Sequence, residues 1–417
     1  MSKLKIALLS YRSAPFGGGQ GVYVHDISKA LVLKGHQVDI ISGPPYPKIP
    51  ENVNLIQLPG LDLFQTFSFK ERVKIFWEKK SKTRFDYFEF CSVLFGGFPE
   101  MATFGYRAKD HLINNSDYDI VIDNQSISYG MLEIQKLLPL IEIIHHPITK
   151  DYEHDLQANN KLLYRFSRYR WYSFLKMQKK VAPHIKNIIT PSLNSLKDIS
   201  RDFKCNSSSM NVIHNGLDVD IFIPYSNIKR DQLRLITTAS ADVPLKGLDY
   251  TLEALSILKK EFCEINLVVI GKLKQEGHTS RLIKRLGLEN SIQFKTNLTK
   301  KEIAEEYACS SIAIVSSLYE GFGYPVIEAM SCSVPLIAAN TSSIPELVGD
   351  YATLIPSRDS TSLAKSIKLV ISDYEKYKNI AEKGRLHVID NFNWTKITEE
   401  YESVMYKIIE DYKNANL

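Results

Sequence analysis

YEGFGYPVIEAM (Tyr319–Met330) sets two carboxylates, Glu320 and Glu328, eight positions apart, with a glycine–aromatic–glycine turn and a proline between them. Directly before it runs SIAIVSS (311–317), a continuous apolar stretch of the kind that forms a buried parallel strand. LYEGFGY is then the loop at the strand's carboxyl end, and PVIEAM opens a helix, with Pro325 in the first turn where its missing N–H costs nothing. Open α/β sheets bind ligands at this edge. Backbone N–H groups of Gly321, Phe322, Gly323 and the helix start can meet an anion or hydroxyls there. A carboxylate is a bidentate acceptor suited to two adjacent sugar hydroxyls, so one Glu for a sugar and one for a nucleotide ribose explains the pair. The plainer alternative is a Glu that supports the first helical turn beside a solvated loop Glu.

The same strand–loop–helix alternation runs in both directions from this stretch. LRLITTAS, INLVVIG, SIQFKT, VPLIAAN and ATLIP are further strands, with helical patterns near 246–260, 278–287, 300–308, 324–332 and 360–371. Upstream, KIALLSY, HQVDIISG, YDIVIDN, IEIIHH, KNIITPS and MNVIHNG form a first series, and IFIPYSNIKRDQ (221–232) reads as a polar linker. Residues 46–107 are aromatic, basic and poorly patterned, and read as an insertion or mobile region. The expected architecture is α/β, two Rossmann-like domains with parallel sheets facing across a ligand-binding cleft. The boundaries fall at 1–222 and 223–395, with a final amphipathic helix at 396–417.

Composition agrees with a globular protein. The chain has 417 residues, too many for one core, with 44% hydrophobic and 24% charged residues and a net charge of +5. That charge does not call for nucleic acid, and no recognised nucleic-acid module accompanies it. Five scattered cysteines without a C-x-x-C pair give no zinc site or disulfide framework and favour a reducing compartment. No signal peptide opens the chain and no apolar run is long enough to span a bilayer, so a cytoplasmic location is expected.

The stretch from Tyr319 to Val348, YEGFGYPVIEAMSCSVPLIAANTSSIPELV, resembles the signature of retaining glycosyltransferases of GT-B fold, specifically glycosyltransferase family four. The match covers an acidic residue, G-F-G, a proline, a second Glu eight residues on, a small-residue helix end and a following strand. Weaker similarity reaches from the first glycine loop to the last helix. The resemblance implies that Glu320 lies at a donor hexose and Glu328 at the ribose of a nucleotide sugar. It also implies that the N–H groups of Phe322 and Gly323 reach sugar hydroxyls, and those of Tyr324 and Val326 the diphosphate.

Other stretches are similar to the family's as well. TTASADVPLKGLDYTLEAL (237–255) carries the Lys246-Gly247 pair that cradles the diphosphate, and a Lys at a helix start suits charge developing on a leaving phosphate. The Arg expected about five residues earlier is absent, since position 241 is Ala between Ser240 and Asp242. Either Arg12 or Lys272 supplies that charge, or donor binding departs from the family. FGGGQGVYVHDISKAL (16–31) resembles the family's glycine loop, whose amides at Gly18 and Gly19 approach donor phosphates and acceptor; as a bare pattern it is equally a tight turn. It breaks the G-x-G-x-x-G fingerprint at Val22, which disfavours a nicotinamide oxidoreductase. IEIIHHPITKD (141–151) puts two histidines at a strand end; His145 aligns with the family's sugar-side histidine and His146 is its alternative. Two histidines make no metal site without further ligands. VIHNGLDVDIFIP (212–224) and TPSLNSLKDI (190–199), with Ser192 as helix cap, read as structural.

The implied activity is metal-independent transfer of a hexosyl group from a nucleotide-diphosphate sugar to a glycan, lipid-linked or small-molecule acceptor, with no cofactor. A GT-B epimerase, a phosphorylase and a catalytically silent partner subunit are the competing readings. KERVKIFWEKKSKTR (70–84) and RYRWYSFLKMQKKVAPHIK (168–186) mix basic and aromatic residues, as helices on an anionic membrane surface do. A helix that buries its aromatic face has the same composition.

Overall fold

The computed structural model describes residues 3–13, 19–66 and 68–415. The chain divides into two compact units, Met1–His214 with Ile397–Leu417, and Asn215–Lys396. The division precedes the expected linker because Leu217 and Phe222 already pack into the second unit's core.

The first unit's sheet comprises β1 (Lys5–Ser10), β2 (Gln37–Ser42), β3 (Asn54–Gln57), β4 (Ile120–Asn124), β5 (Leu140–Ile143), β6 (Ile188–Thr190) and β7 (Met210–Val212). All pairings are parallel, in the order β3-β2-β1-β4-β5-β6-β7. Its helices are α1 (Gly19–Leu33), α2 (Phe69–Glu78), α3 (Arg84–Leu94), α4 (Glu100–Asn114), α5 (Tyr129–Leu137), α6 (Thr149–Ala158), α7 (Leu162–Trp171), α8 (Leu175–Val181) and α9 (Leu193–Phe203). The central strands are buried along nearly their whole length, which is why they read as unbroken apolar runs rather than alternating ones. Ser192 caps α9 as expected, accepting from the Ser195 N–H at 3.0 Å.

The second sheet comprises β8 (Asp231–Thr238), β9 (Asn266–Ile270), β10 (Ile292–Lys295), β11 (Ser310–Val315), β12 (Leu336–Ala339) and β13 (Thr353–Ile355), again all parallel, in the order β10-β9-β8-β11-β12-β13. Around it lie α10 (Leu248–Leu258), α11 (His278–Leu286), α12 (Lys300–Cys309), α13 (Tyr324–Ser331), α14 (Ile344–Val348), α15 (Ser360–Ser372) and α16 (Tyr374–Phe392). Every strand read from the sequence is present. The last helix, α17 (Trp394–Ala415), begins in the second unit and from Ile397 belongs to the first, where Tyr401 meets Tyr23 hydroxyl to hydroxyl at 2.6 Å.

Residues 46–107 are the main correction. They are no unpatterned insertion but β3, α2, α3 and the first half of α4, with a small core of Leu61, Leu63, Phe76 and Val93. Their order rests on buried charge. Asp86 and Glu89 are 0% and 3% exposed and are met by Arg107, with Lys79 also 2.7 Å from Asp86. Buried ion networks of this kind hold only when every member is paired, and a sequence pattern reads the same residues as solvated.

Two glycines let α4 and α5 touch backbone to backbone. A Cβ on Gly130 would overlap the Gly105 carbonyl, and one on Gly105 would overlap Ser128 Oγ. Gly130→Ala is therefore expected to destabilise the first unit by about 3 kcal/mol, read as a lower denaturant midpoint at unchanged slope.

Glu100, at the start of α4, is held up to about pH 7 in its proton affinity, because burial outweighs the nearby Arg12 charge and Asp62 and Glu89 add repulsion. A carboxyl whose folded pKa exceeds its unfolded one loses native-state stabilisation as pH rises through that window. Glu100→Gln, which mimics the protonated form, should gain stability relative to the wild type between about pH 5 and about pH 8, by up to about 2 kcal/mol. Thermal melts at the two pH values measure it.

Candidate functional site

In the second sheet the strand order reverses between β8 and β11, the switch point at which open α/β sheets bind ligands. The loops leaving these two strands carry Lys246 and Glu320. Lys246 Nζ donates to Glu320 Oε1 at 2.7 Å, and Ser317 Oγ donates to the same oxygen at 2.7 Å. Glu320 is 9% exposed, so this carboxylate sits in a low-dielectric setting with a cation and a hydroxyl directed at one oxygen. Gly247 follows at φ +59, where a Cβ would overlap the Ser316 carbonyl; only glycine lets the Lys246 turn lie against β11's end.

The EGFG loop is fixed from behind. Glu320 N–H donates to Ser342 Oγ at 2.8 Å, and Ser343 Oγ donates to the carbonyls of Glu320 (3.0 Å) and Phe322. Phe322 is buried in the core against Phe392 and Tyr324. Gly323 caps α13 at φ +121, outside the reach of other residues. The Val326 N–H donates to the Gly323 carbonyl at 3.0 Å and closes the first turn of α13. At its other end α13 is capped by two guanidinium groups. Arg230 donates to the Cys332 and Ser333 carbonyls at 2.8 Å each, and Arg385 to the carbonyls of Ser331 and Phe222. Positive charge there opposes the helix dipole's negative end and anchors the helix.

Glu328 lies in the second turn of α13, half-buried. Behind it stands the fully buried Tyr307 of α12, whose hydroxyl is 3.4 Å from Glu328 Oε2 and 3.2 Å from Thr238 Oγ1.

The loop at 240–242 carries no cation. Ala241 is buried, and Asp242 turns to α11, accepting the Thr279 N–H at 2.7 Å. Of the two proposed substitutes, Arg12 stands in the first unit, 3.6 Å from Glu100 and 4.0 Å over the Phe64 ring. Lys272 stands in the second, exposed, directly after β9. The preceding Gly271 packs so closely on Ala239 that a Cβ would overlap its carbonyl. Lys272 therefore leaves the sheet beside the loop that lacks the Arg.

In the first unit, Gly18 lies outside the described residues, and Gly19 is the exposed first residue of α1. The two histidines after β5 part company. His146 Nε2 meets Asp151 Oδ2 at 2.7 Å. Burial works to raise the Asp151 pKa, yet His146's charge and hydrogen bond carry it below the carboxylate range. His145 Nε2 meets Asn124 Oδ1 at 2.8 Å, and its ring stands edge-on to Tyr23 at 4.7 Å. Burial, and then the neighbouring His146 charge, push its pKa down to about 3.

Ser317, Ser342, Ser343, Tyr307, Asn124 and Gln125 escaped the reading of the sequence. Only the T-S-S run at 341–343 carries a signal, as turn-forming hydroxyls one strand after the signature. Among the described residues no group of three or more His, Cys, Asp or Glu gathers as a metal ion would need, and no helix is long and apolar enough to cross a membrane. In the 168–186 stretch Phe174, Leu175, Met177 and Val181 are buried, and Trp171 and Tyr172 pack against the first unit's core. In the 70–84 stretch Phe76 is buried while Trp77 is exposed, so the aromatic-inward alternative describes most of both. Helix α7 buries none of its residues, with Leu162, Leu163 and Phe166 exposed.

The model of glycosyltransferase family 4 matches residues 17–221, and that of glycosyl transferases group 1 matches residues 222–387. The MMP alpha-(1->4)-mannosyltransferase of Mycolicibacterium hassiacum is 35% identical, over 97% of this chain and 98% of its own. The N-acetyl-alpha-D-glucosaminyl L-malate synthase of Bacillus anthracis is 21% identical over the whole of both chains. Among solved structures, sucrose-phosphate synthase from Thermosynechococcus elongatus superimposes with a TM-score of 0.76 at 19% identity, covering 98% of this chain and 100% of its own. Anabaena HepE, solved in complex with UDP-glucose, superimposes with a TM-score of 0.70 at 17% identity, covering 97% and 100%.

Proposed function

Since this chain belongs to glycosyltransferase family 4 and is a glycosyltransferase of GT-B fold, we propose that it moves a hexosyl group, mannosyl foremost, from a nucleoside diphosphate to an acceptor hydroxyl. The reading extends to retention of the anomeric configuration and to a reaction without metal. The observation that carries it is the Lys246–Glu320 pair at the second sheet's switch point, at the foot of α13. The mannosyl assignment is supported by the 35% identical relative named a mannosyltransferase, and the nucleotide-sugar donor by the UDP-glucose bound to Anabaena HepE.

In this reading the donor diphosphate draws Lys246 away from Glu320. Departure of the diphosphate leaves an oxocarbenium-like centre, and Lys246, Lys272 and the amides before α13 meet the growing negative charge. The released Glu320 accepts from hexose hydroxyls while Ser317 keeps it in place, so it positions and takes no proton. Glu328 accepts from the ribose. The acceptor hydroxyl attacks the face that the phosphate leaves, and its proton goes to that phosphate. A silent partner subunit draws support from the cation-free loop at 240–242, against which Lys272 stands beside the gap.

The test is incubation with GDP-mannose, UDP-glucose or ADP-glucose and a short α-(1→4)-linked manno-oligosaccharide in excess EDTA, followed by proton NMR of the new anomeric centre. An α product from the α-linked donor is expected. A β product, or strict dependence on added divalent ion, would overturn the reading.

A further inference from the structure

The polar run that ends β4 and turns away from it has no part in the chemistry above, yet it is wholly buried. Asp123, Asn124, Gln125 and Ser126 are consecutive, polar and all 0% exposed. They leave the sheet where its order reverses, between β1 and β4. Gln125 has φ +63 and Ile127 φ +47, and a β-branched residue holds that conformation only where its surroundings impose it. Two buried carboxyls do so. Asp123 Oδ2 accepts the Ser126 N–H at 2.8 Å, and Glu142 Oε1 accepts the Ile127 N–H at 3.2 Å.

What the strained turn presents is a pair of amide side chains, both aimed at the end of β5. Gln125 Oε1 accepts the His145 N–H at 3.0 Å, and its Nε2 donates to the His146 carbonyl at 2.9 Å, so it pairs with the chain like an added rung of sheet. Asn124 Oδ1 lies 2.8 Å from His145 Nε2. Ser195 Oγ donates to the His145 carbonyl at 3.0 Å, and the Tyr23 ring covers one side of the imidazole. The histidine is held at its N–H, its carbonyl and one ring nitrogen, with the Tyr23 ring packed at a steep angle beside it.

With the Asn124 amide so oriented its oxygen can only accept, so Nε2 carries a proton, and in the neutral ring Nδ1 keeps its lone pair. We propose that Asn124 and Gln125 are positioning residues that fix His145 as a neutral ring with Nδ1 as hydrogen-bond acceptor, so that the group it receives is a sugar hydroxyl and not a phosphate. This rests on the reading above, in which His145 lies at the donor sugar. A charged imidazolium would draw phosphate; a neutral acceptor selects a hydroxyl. The titratable groups facing the ring are Tyr23 from α1 and the adjoining His146, itself paired with Asp151 of α6. Asp123 lies one residue before Asn124; burial raises its pKa, and hydrogen bonds from Glu142, Ser126 and Ile127 work against that rise.

The experiment is nitrogen-15 NMR of the histidine rings in the ligand-free full chain, from about pH 5 to about pH 8. His145 is expected to stay neutral throughout, with the proton on Nε2. Asn124→Asp puts a carboxylate at the same contact. It should bring the His145 titration into that range and lower kcat about tenfold at the acidic end, with nucleoside diphosphate affinity within about twofold of the wild type. A wild-type His145 that titrates near its ordinary value, or carries its proton on Nδ1, would overturn the proposal. So would an Asn124→Asp enzyme with unchanged rate and pH profile. The wild-type spectra decide the matter even if the variant fails to fold. Titration with UDP, GDP and ADP tests the donor reading separately, since the ring's protonation is measured without ligand.

Discussion

Lys246→Ala is expected to lower kcat by about a thousandfold while weakening nucleoside diphosphate binding by only about tenfold. The disproportion follows from where the charge is. In the bound ground state proposed above, the diphosphate has further donors, namely Lys272 and the amides ahead of α13. In the transition state an additional negative charge appears on the leaving oxygen, and Lys246 is the cation at the sheet's switch point. Removing it also releases Glu320 from its 2.7 Å partner and leaves the Ser317 hydroxyl on that oxygen. Single-turnover rates set beside calorimetric affinities separate the two effects. Equal losses in rate and affinity would mean that Lys246 serves binding alone.

Glu328→Gln should do the reverse. An ionised carboxylate accepting from ribose hydroxyls contributes about 2 kcal/mol over an amide, so affinity for the nucleoside diphosphate should fall about thirtyfold. The rate at saturating donor should stay within about threefold, because the ribose is remote from the bond that breaks. The substitution is nearly isosteric, and the side chain is half-buried against Tyr307, so the fold should tolerate it. Calorimetry gives the affinity, and initial rates at high donor concentration give the other half.

Much of the architecture was legible because parallel strands buried on both faces leave unbroken apolar runs. KIALLS and SSIAIV are such runs, and they lie where the sequence places them. The signature loop was legible because glycine and proline mark it and two acids flank it. Illegible were the parts whose order comes from partners distant in sequence. Asp86 and Glu89 look solvated until Arg107 and Lys79 are folded against them. Asn124 and Gln125 look like an ordinary polar loop until β5 brings His145 beside them. Nor does the sequence show that the Val326 amide bonds to the Gly323 carbonyl, since that turn depends on the positive φ that Gly323 adopts. Which histidine faces Asn124 is likewise a matter of the α6 partner, because Asp151 takes His146 and leaves His145 to the amide.

The central claim is that the second unit grips a nucleoside diphosphate through Lys246 and Glu328. Calorimetric titration of the full chain with UDP, GDP and ADP, repeated on Glu328→Gln, tests it most directly. Tight binding of one of the three, weakened about thirtyfold in the variant, is the predicted result. Folded protein that binds none of them would contradict the claim and leave the chain as a silent partner of another transferase.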